Sequence, residues 1–279
     1  MTAAGPTARV ERLSFFFPAH NEEANIEGLV AEALETLPTI AETFEIIAVN
    51  DGSRDRTRVL ADDLTAAHPG IVRAVHHPTN LGYGAALRSG FAAARYELVA
   101  FTDGDRQFRV EDLGRLTERL AAADRPDVVV GYRIRRADPL VRTLYARAYR
   151  LANRLFFGLT VTDVDCACKL FRREALEGIR VESDGAFFSA ELLIRLRAAG
   201  RNVVEVGVPH YPRTAEEGMA ITRQEAWTDH GTALEVPDFV LEVIERNTPS
   251  TVIDGFVINR PLVLAEDVVV QTQTIIDSG

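Results

Sequence analysis

Along residues 12–130, apolar and polar positions alternate in blocks with the lengths of strands and helices. Short apolar runs such as Leu13–Phe17 predict buried strands, and apolar residues three or four positions apart predict helices. We predict strands at 12–18, 45–49, 71–76, 98–101 and 127–130, and helices at 26–37, 55–68, 83–95 and 110–122. This alternation is typical of a mostly parallel central sheet with helices on both faces.

Beyond residue 130 the pattern changes. Residues 133–157 are basic and aromatic without strand periodicity, and we expect one or two helices there. The pattern then predicts a loop and strand over 163–173, a short helix over 173–178, a helix over 189–199 and a strand over 203–208. We therefore assign residues 1–218 to one Rossmann-like α/β domain.

The remaining residues, 219–279, form an acidic C-terminal appendage. They carry ten of the 41 acidic residues but three of the 31 basic residues, and so most of the formal net charge of −10. Because a chain with a net negative charge repels the phosphate backbone of nucleic acids, we expect no nucleic-acid partner. The role and fold of the appendage stay open, and a homo-oligomer contact or a surface for a protein partner are the roles that we consider.

The first residues, the apolar runs and the cysteines bear on the cellular compartment of the protein. No run of about 18 apolar residues predicts a membrane span, and the first 14 residues include Pro6, Arg9 and Glu11 where a secretion signal needs apolar residues. Cys166 and Cys168 are too close for an ordinary disulfide and too few for structural zinc. We expect buried thiols in a cytoplasmic protein.

Three polar clusters each follow a predicted strand directly. They are Ala19–Glu22, Asn50–Ser53 and Asp103–Gln107. Ligands of parallel α/β sheets bind at the carboxyl ends of the strands, which lie along one edge. The sequence therefore predicts that the three clusters converge on a single site.

The third cluster has the chemistry of a cation site. Asp103 and Asp105 can present carboxylates to one Mg²⁺ or Mn²⁺ ion, with Gln107 as a further oxygen donor. A cation so placed neutralises a diphosphate leaving group. Taken alone, an Asp-x-Asp triplet more often caps a helix or a turn, and Asn21–Glu22 and Asp51–Gly52 are equally typical of a helix cap and a turn. The interpretation therefore depends on the clusters occurring together.

The order of the motifs resembles that of family 2 glycosyltransferases, and within them the polyprenyl-phosphate sugar transferases of the dolichol-phosphate mannose synthase type. The resemblance covers residues 12–218 and rests on eight motifs, at 18–23, 49–55, 80–84, 103–107, 131–133, 163–171, 190–193 and 209–213. It implies a GT-A catalytic domain, a nucleotide-sugar donor, a divalent metal and inversion at the anomeric carbon. It also implies a polyprenyl-phosphate acceptor, presented at a membrane surface.

The resemblance assigns roles to individual residues. The pocket for the base and ribose is lined by Pro18, Ala19, Asn21, Glu22 and Asp51, and is shaped by the turn that contains Gly82 and Gly84. Asp103 faces the ribose and diphosphate, and Asp105 and Gln107 hold the metal. The arginines that hold the acceptor phosphate and the donor diphosphate are Arg133, Arg142 and Arg213, whose planar guanidinium groups suit phosphate oxygens.

The acceptor determines whether a general base is needed. A lipid phosphate is already ionised near neutral pH, whereas a sugar hydroxyl needs a carboxylate, for which Asp163 and Asp165 are candidates when they are not simply turn residues. Residues 141–158 have the pattern of a basic amphipathic helix, which suits either core packing or peripheral contact with the cytoplasmic face of a membrane. On a helix, Glu191 is expected to give structural support.

Two further hypotheses stay open, and three positions depart from the family pattern. The chain is alternatively a transferase with a soluble sugar or polysaccharide acceptor, or a noncatalytic nucleotide-sugar-binding module. A nucleotidyltransferase would need a glycine-rich, lysine-bearing loop near the first strand, which the sequence lacks. The departures are Asn50 in place of an aspartate, Ala146 in place of a small hydroxyl residue, and the run Cys166–Lys169.

Overall fold

The structure is a computed structural model, and it describes residues 9–134, 161–185 and 187–211. These residues all belong to one compact unit of the chain. Arg142, Arg213, the helix predicted at 141–158 and the appendage at 219–279 lie outside the described residues. The expectations for them, including the domain boundary near residue 218, stay predictions.

The described residues contain a seven-stranded sheet of order β3-β2-β1-β4-β6-β5-β7. The strands are β1 Val10–Ala19, β2 Ala41–Asp51, β3 Val72–His77, β4 Leu98–Phe101, β5 Val128–Arg133, β6 Lys169–Arg172 and β7 Val203–Val208. β6 runs antiparallel to β4 and β5, and the other pairs are parallel. The predicted mostly parallel sheet is confirmed.

Helices pack against this sheet where the periodicity predicted them. They are α1 Ile26–Ile40, α2 Thr57–Ala67, α3 Tyr83–Ala93, α4 Leu113–Leu120 and α5 Phe188–Ala198, with short 3₁₀ turns at Val110–Asp112 and Arg173–Leu176. Within the described residues, no helix combines the length and hydrophobicity needed to cross a bilayer.

Two strand boundaries differ from the prediction because strand pairing extends them. β2 begins before its apolar run, since Ala41 pairs with Val10 of β1. β5 continues through Arg133, which pairs with Val208 of β7, although the sequence placed Arg133 at the start of a helical segment. Backbone pairing between distant segments is therefore stronger evidence for a strand than local composition.

The phenylalanine run at 15–17 forms the centre of the core. All three rings are fully buried because β1 is an interior strand with both of its faces covered. Phe16 stacks on Phe101 of β4, with 5.2 Å between the ring centroids. α3 lies close over this ring, since a Cβ atom on Gly90 would be only 2.2 Å from Phe16 Cδ2. The close packing fixes α3, whose first residue is Tyr83, relative to the end of β4.

Candidate active site

The loops after β1 and β2 are joined to each other at the carboxyl edge of the sheet. The Asn21 amide N–H donates to Ser53 Oγ at 3.0 Å, and Asn21 Oδ1 accepts the Arg54 amide N–H at 2.9 Å. Asn21 has a φ of 56°, a left-handed conformation that asparagine tolerates better than most residues. The Glu22 N–H donates to Thr57 Oγ1 at 2.8 Å. The predicted convergence of the first two clusters is confirmed.

Asp51 holds the glycine-containing loop that follows β3. Its carboxylate accepts the backbone N–H of Leu81 at 2.8 Å and of Gly82 at 3.0 Å. His77 Nδ1 donates to the same carboxylate at 2.7 Å. The resemblance placed Asp51 beside the nucleotide, and the sequence did not indicate this further role as the anchor of the loop at 80–84.

The loop at 80–84 packs directly against the backbone at Ser183 and Asp184. A Cβ atom on Gly82 would lie 2.6 Å from the Asp184 carbonyl oxygen, and one on Gly84 would lie 2.4 Å from that of Ser183. The Gly84 N–H donates to the Asp184 carbonyl at 2.7 Å. Gly82 also has a φ of 96°, which favours glycine. Both glycines are therefore required by this close backbone contact.

Glu191 on α5 supports the segment at 182–184. Its buried carboxylate accepts the N–H groups of Glu182 at 3.0 Å and Ser183 at 2.9 Å, the Ser183 hydroxyl at 2.6 Å and Arg195 Nε at 2.6 Å. Burial by itself would raise the pKa of Glu191, but these hydrogen bonds lower the pKa below its ordinary value. The expected supporting role of Glu191 is confirmed.

The hydroxyl of Tyr83 contacts one aspartate and is influenced by the charges of two others. Tyr83 Oη donates to Asp103 Oδ1 at 2.9 Å. Burial, followed by the charge of Asp105, raises the pKa of Asp103 to about 7. Burial and then Asp103, Asp165 and Asp105 raise the pKa of Tyr83 well above its ordinary value. The end of β4 is thus a crowded set of acids, which a divalent cation would stabilise.

The donor set at this position fits a cation whose remaining coordination positions are filled by a diphosphate. Asp105 Oδ1 accepts the Gln107 N–H at 3.1 Å, and the Gln107 side chain donates to the Tyr211 carbonyl at 3.4 Å. In the described part of the chain, no three His, Cys, Asp or Glu side chains form a ready-made cation cage. Mg²⁺ characteristically binds one or two carboxylates together with substrate phosphates. The oxygens of Asp103, Asp105 and Gln107 suit that mode of binding.

Arg133 and Asp163, predicted separately as a phosphate ligand and a base, form an ion pair. Arg133 Nε lies 2.7 Å from Asp163 Oδ2, and Nη2 lies 2.8 Å from Oδ1. Their side chains are only 13% and 8% exposed. Asp165, in contrast, is exposed to solvent. Because both oxygens of Asp163 accept hydrogen bonds from the guanidinium group of Arg133, this carboxylate is poorly suited to take a proton from an acceptor hydroxyl.

Lys169 is a residue near the site that the sequence interpretation did not select. Its side chain is fully buried, and Nζ donates to the Cys166 carbonyl and lies 5.5 Å from the centre of the Phe101 ring. Burial lowers the pKa of Lys169, and nearby acids, including Asp165 and Asp163, oppose that shift. One feature of the sequence could have singled out this residue, because Lys169 is the only lysine among the 31 basic residues.

A mostly parallel sheet with carboxylates gathered at the end of β4 is the architecture of a nucleotide-dependent α/β enzyme. The family profile described as glycosyl transferase family 2 matches residues 14–180. The chain therefore belongs to glycosyl transferase family 2, as its motifs indicated.

Named relatives share this region of the chain. Glycosyltransferase AglD of Haloferax volcanii is 37% identical over 219 residues, which are 76% of this chain and 35% of that protein. The undecaprenyl-phosphate 4-deoxy-4-formamido-L-arabinose transferase of Pseudomonas aeruginosa is 31% identical over 208 residues, covering 75% and 60%. The polyprenol monophosphomannose synthase of Mycolicibacterium smegmatis is 30% identical over 209 residues, covering 71% and 77%. The chain thus spans less than two thirds of the first two relatives.

Solved structures confirm the predicted GT-A fold. The glucosyl-3-phosphoglycerate synthase of Mycobacterium tuberculosis, in complex with Mn²⁺, uridine diphosphate and phosphoglyceric acid, matches with a TM-score of 0.59 at 22% identity. The match covers 77% of this chain and 74% of that chain. At this level of identity the likeness concerns the fold alone.

Proposed function

We propose that this chain transfers a sugar, with inversion, from a nucleotide-sugar donor to a polyprenyl phosphate. The observation that carries the proposal is the set of acids at the end of β4, which adjoins the loops joined by Asn21 and Asp51. Relatives with 31% and 30% identity are named for undecaprenyl-phosphate and polyprenol acceptors, which supports the same class of acceptor here.

Asp103, Asp105 and Gln107 are the residues that would hold Mg²⁺ or Mn²⁺. A bound cation supplies charge neutralisation for the diphosphate leaving group. Structures of the M. tuberculosis neighbour contain Mn²⁺ or Mg²⁺ with uridine diphosphate, which supports a divalent metal for this site. The loops at 19–22, 50–53 and 80–84 would bind the base and ribose, and Asp51 would keep the last of these loops in place.

The ion pair between Arg133 and Asp163 engages one of the two candidate bases, which favours a phosphate acceptor over a hydroxyl acceptor. A hydroxyl nucleophile needs a base, and the carboxylate of Asp163 is engaged by the guanidinium of Arg133. A phosphate monoester is already ionised and needs alignment and charge stabilisation. In this proposal, the guanidinium of Arg133, held in place by Asp163, helps to align the acceptor phosphate at the cytoplasmic face of a membrane. Arg142 and Arg213, which the family resemblance adds, supply the positive charge for that phosphate.

Turnover of a panel of UDP-, GDP- and dTDP-sugars tests the proposal. The full chain is assayed with Mn²⁺ or with EDTA, and with or without undecaprenyl or dolichyl phosphate. We expect nucleoside diphosphate release only when metal and lipid are both present. Release without lipid would indicate a soluble acceptor, and donor binding without turnover would indicate a noncatalytic binding module, so either result would overturn the proposal.

A further inference from the structure

The hydroxyl of Tyr83 holds the carboxylate of Asp103, with 2.9 Å between Oη and Oδ1. A phenol is protonated at neutral pH, so the hydroxyl donates and the carboxylate accepts. We propose that Tyr83 is a positioning residue: by holding Oδ1 of Asp103, it would leave Oδ2 available to a cation that is bound together with the donor diphosphate. This inference rests on the proposed function of the site and adds a residue to it.

The backbone of Tyr83 is fixed on both sides. The preceding residue, Gly82, donates to the Asp51 carboxylate at 3.0 Å. The following residue, Gly84, donates to the Asp184 carbonyl at 2.7 Å. α3 itself is packed on Phe16 through the close approach at Gly90. The ring of Tyr83 therefore starts from a rigid position, and its hydroxyl can determine where the carboxylate lies.

The surroundings of Asp103 make this hydrogen bond decisive for its orientation. Within the described residues, no other side chain donates a hydrogen bond to the Asp103 carboxylate. The negative charges of Asp105 and Glu22 repel the Asp103 carboxylate, whereas the buried Lys169 attracts it. Without the hydroxyl, repulsion would turn the carboxylate away from Asp105, although a shared cation needs the two groups together.

The Tyr83→Phe variant removes one oxygen atom and retains the ring. In the full chain, free Mn²⁺ is measured by electron paramagnetic resonance during titration, once with UDP and once with GDP present. Loss of a group that orients a metal ligand typically weakens metal binding about 10–100-fold, and we expect a shift in the Mn²⁺ Kd of this size. Metal-free nucleotide binding should change much less than the Mn²⁺ Kd, and the thermal unfolding temperature should fall by no more than the loss of one hydrogen bond explains.

Tyr96→Phe is the matched control. Tyr96 precedes β4, at the edge of the sheet opposite the acids, and its ring lies under Arg12. This variant should bind Mn²⁺ like the unmodified chain. If Tyr83→Phe also binds Mn²⁺ normally, the positioning role is refuted and the proposed function stands. If metal-free nucleotide binding weakens as much as Mn²⁺ binding does, Tyr83 is structural and the inference also fails. If the unmodified chain shows no nucleotide-dependent Mn²⁺ binding, the proposed function and the inference fail together.

Discussion

Replacing Glu191 with glutamine tests whether this buried carboxylate supports the site from a distance. The side chain is 0% exposed and accepts four hydrogen bonds, from two backbone amides, the Ser183 hydroxyl and Arg195. A glutamine of the same shape retains one oxygen but places an amide NH₂ group against donors. A hydrogen bond to a charged group contributes about 1.5–3 kcal/mol, so we expect Glu191→Gln to lower the free energy of unfolding by about 2–3 kcal/mol.

The substitution should also weaken donor binding, because Glu191 holds the segment on which Gly82 and Gly84 pack. Urea unfolding measures the lower free energy of unfolding, as a lower midpoint with an unchanged m-value. Nucleotide titration measures the weaker donor binding. Glu177→Gln is the control: Glu177 is exposed, and a surface change of this kind should stay within about 0.5 kcal/mol of the unmodified chain.

The pH dependence provides an independent check on the same residue. The folded-state pKa of Glu191 lies below its ordinary value of 4.5, so the carboxylate stabilises the fold fully above that value. The contribution is lost as the pH falls through the folded-state pKa. The stability difference between the unmodified chain and Glu191→Gln should therefore shrink below pH 4.5. A variant as stable as the unmodified chain at pH 7 would refute this account of Glu191.

Three other results are expected. Asp105→Ala should abolish transfer with little change in the unfolding midpoint, and retained turnover would contradict the metal assignment. Gly84→Ala should raise the nucleotide Kd because its Cβ would meet the Ser183 carbonyl at 2.4 Å, whereas Gly114→Ala, with open space around it, should leave binding unchanged. Since the folded-state pKa of Asp103 is about 7, Mn²⁺ affinity should fall as the pH drops below 7, and Asp103→Asn should remove that dependence; a pH-independent affinity of the unmodified chain would exclude Asp103 as a ligand.

Much of the fold was predictable because its information is local. The apolar run at 13–17 and the spacing of apolar residues over 26–37 reflect the side-chain periods of strands and helices. Once strands and helices alternate, the handedness of the connections places the loops after parallel strands at one edge. The convergence of the clusters that contain Asn21, Asp51 and Asp103 therefore followed from the order of elements.

The roles of several residues could not be predicted, since their partners are distant in the sequence. The carboxylate of Asp163 could serve as a base, a turn residue or an ion-pair partner until the pairing of β5 with β6 and β7 brought Arg133 beside it. The burial of Lys169 likewise depends on which strands are neighbours, because β6 lies between β4 and β5.

The sequence by itself determined the elements, the class of fold and the family, since periodicity and the order of motifs are properties of the chain. Tertiary structure alone decided that β6 is antiparallel, that Asp51 holds the loop at 80–84 and that Tyr83 bonds Asp103. The physical reason is that a polar side chain can satisfy its hydrogen bonds in many ways. Its actual partner is selected only when packing of the core fixes which donors lie within about 3 Å.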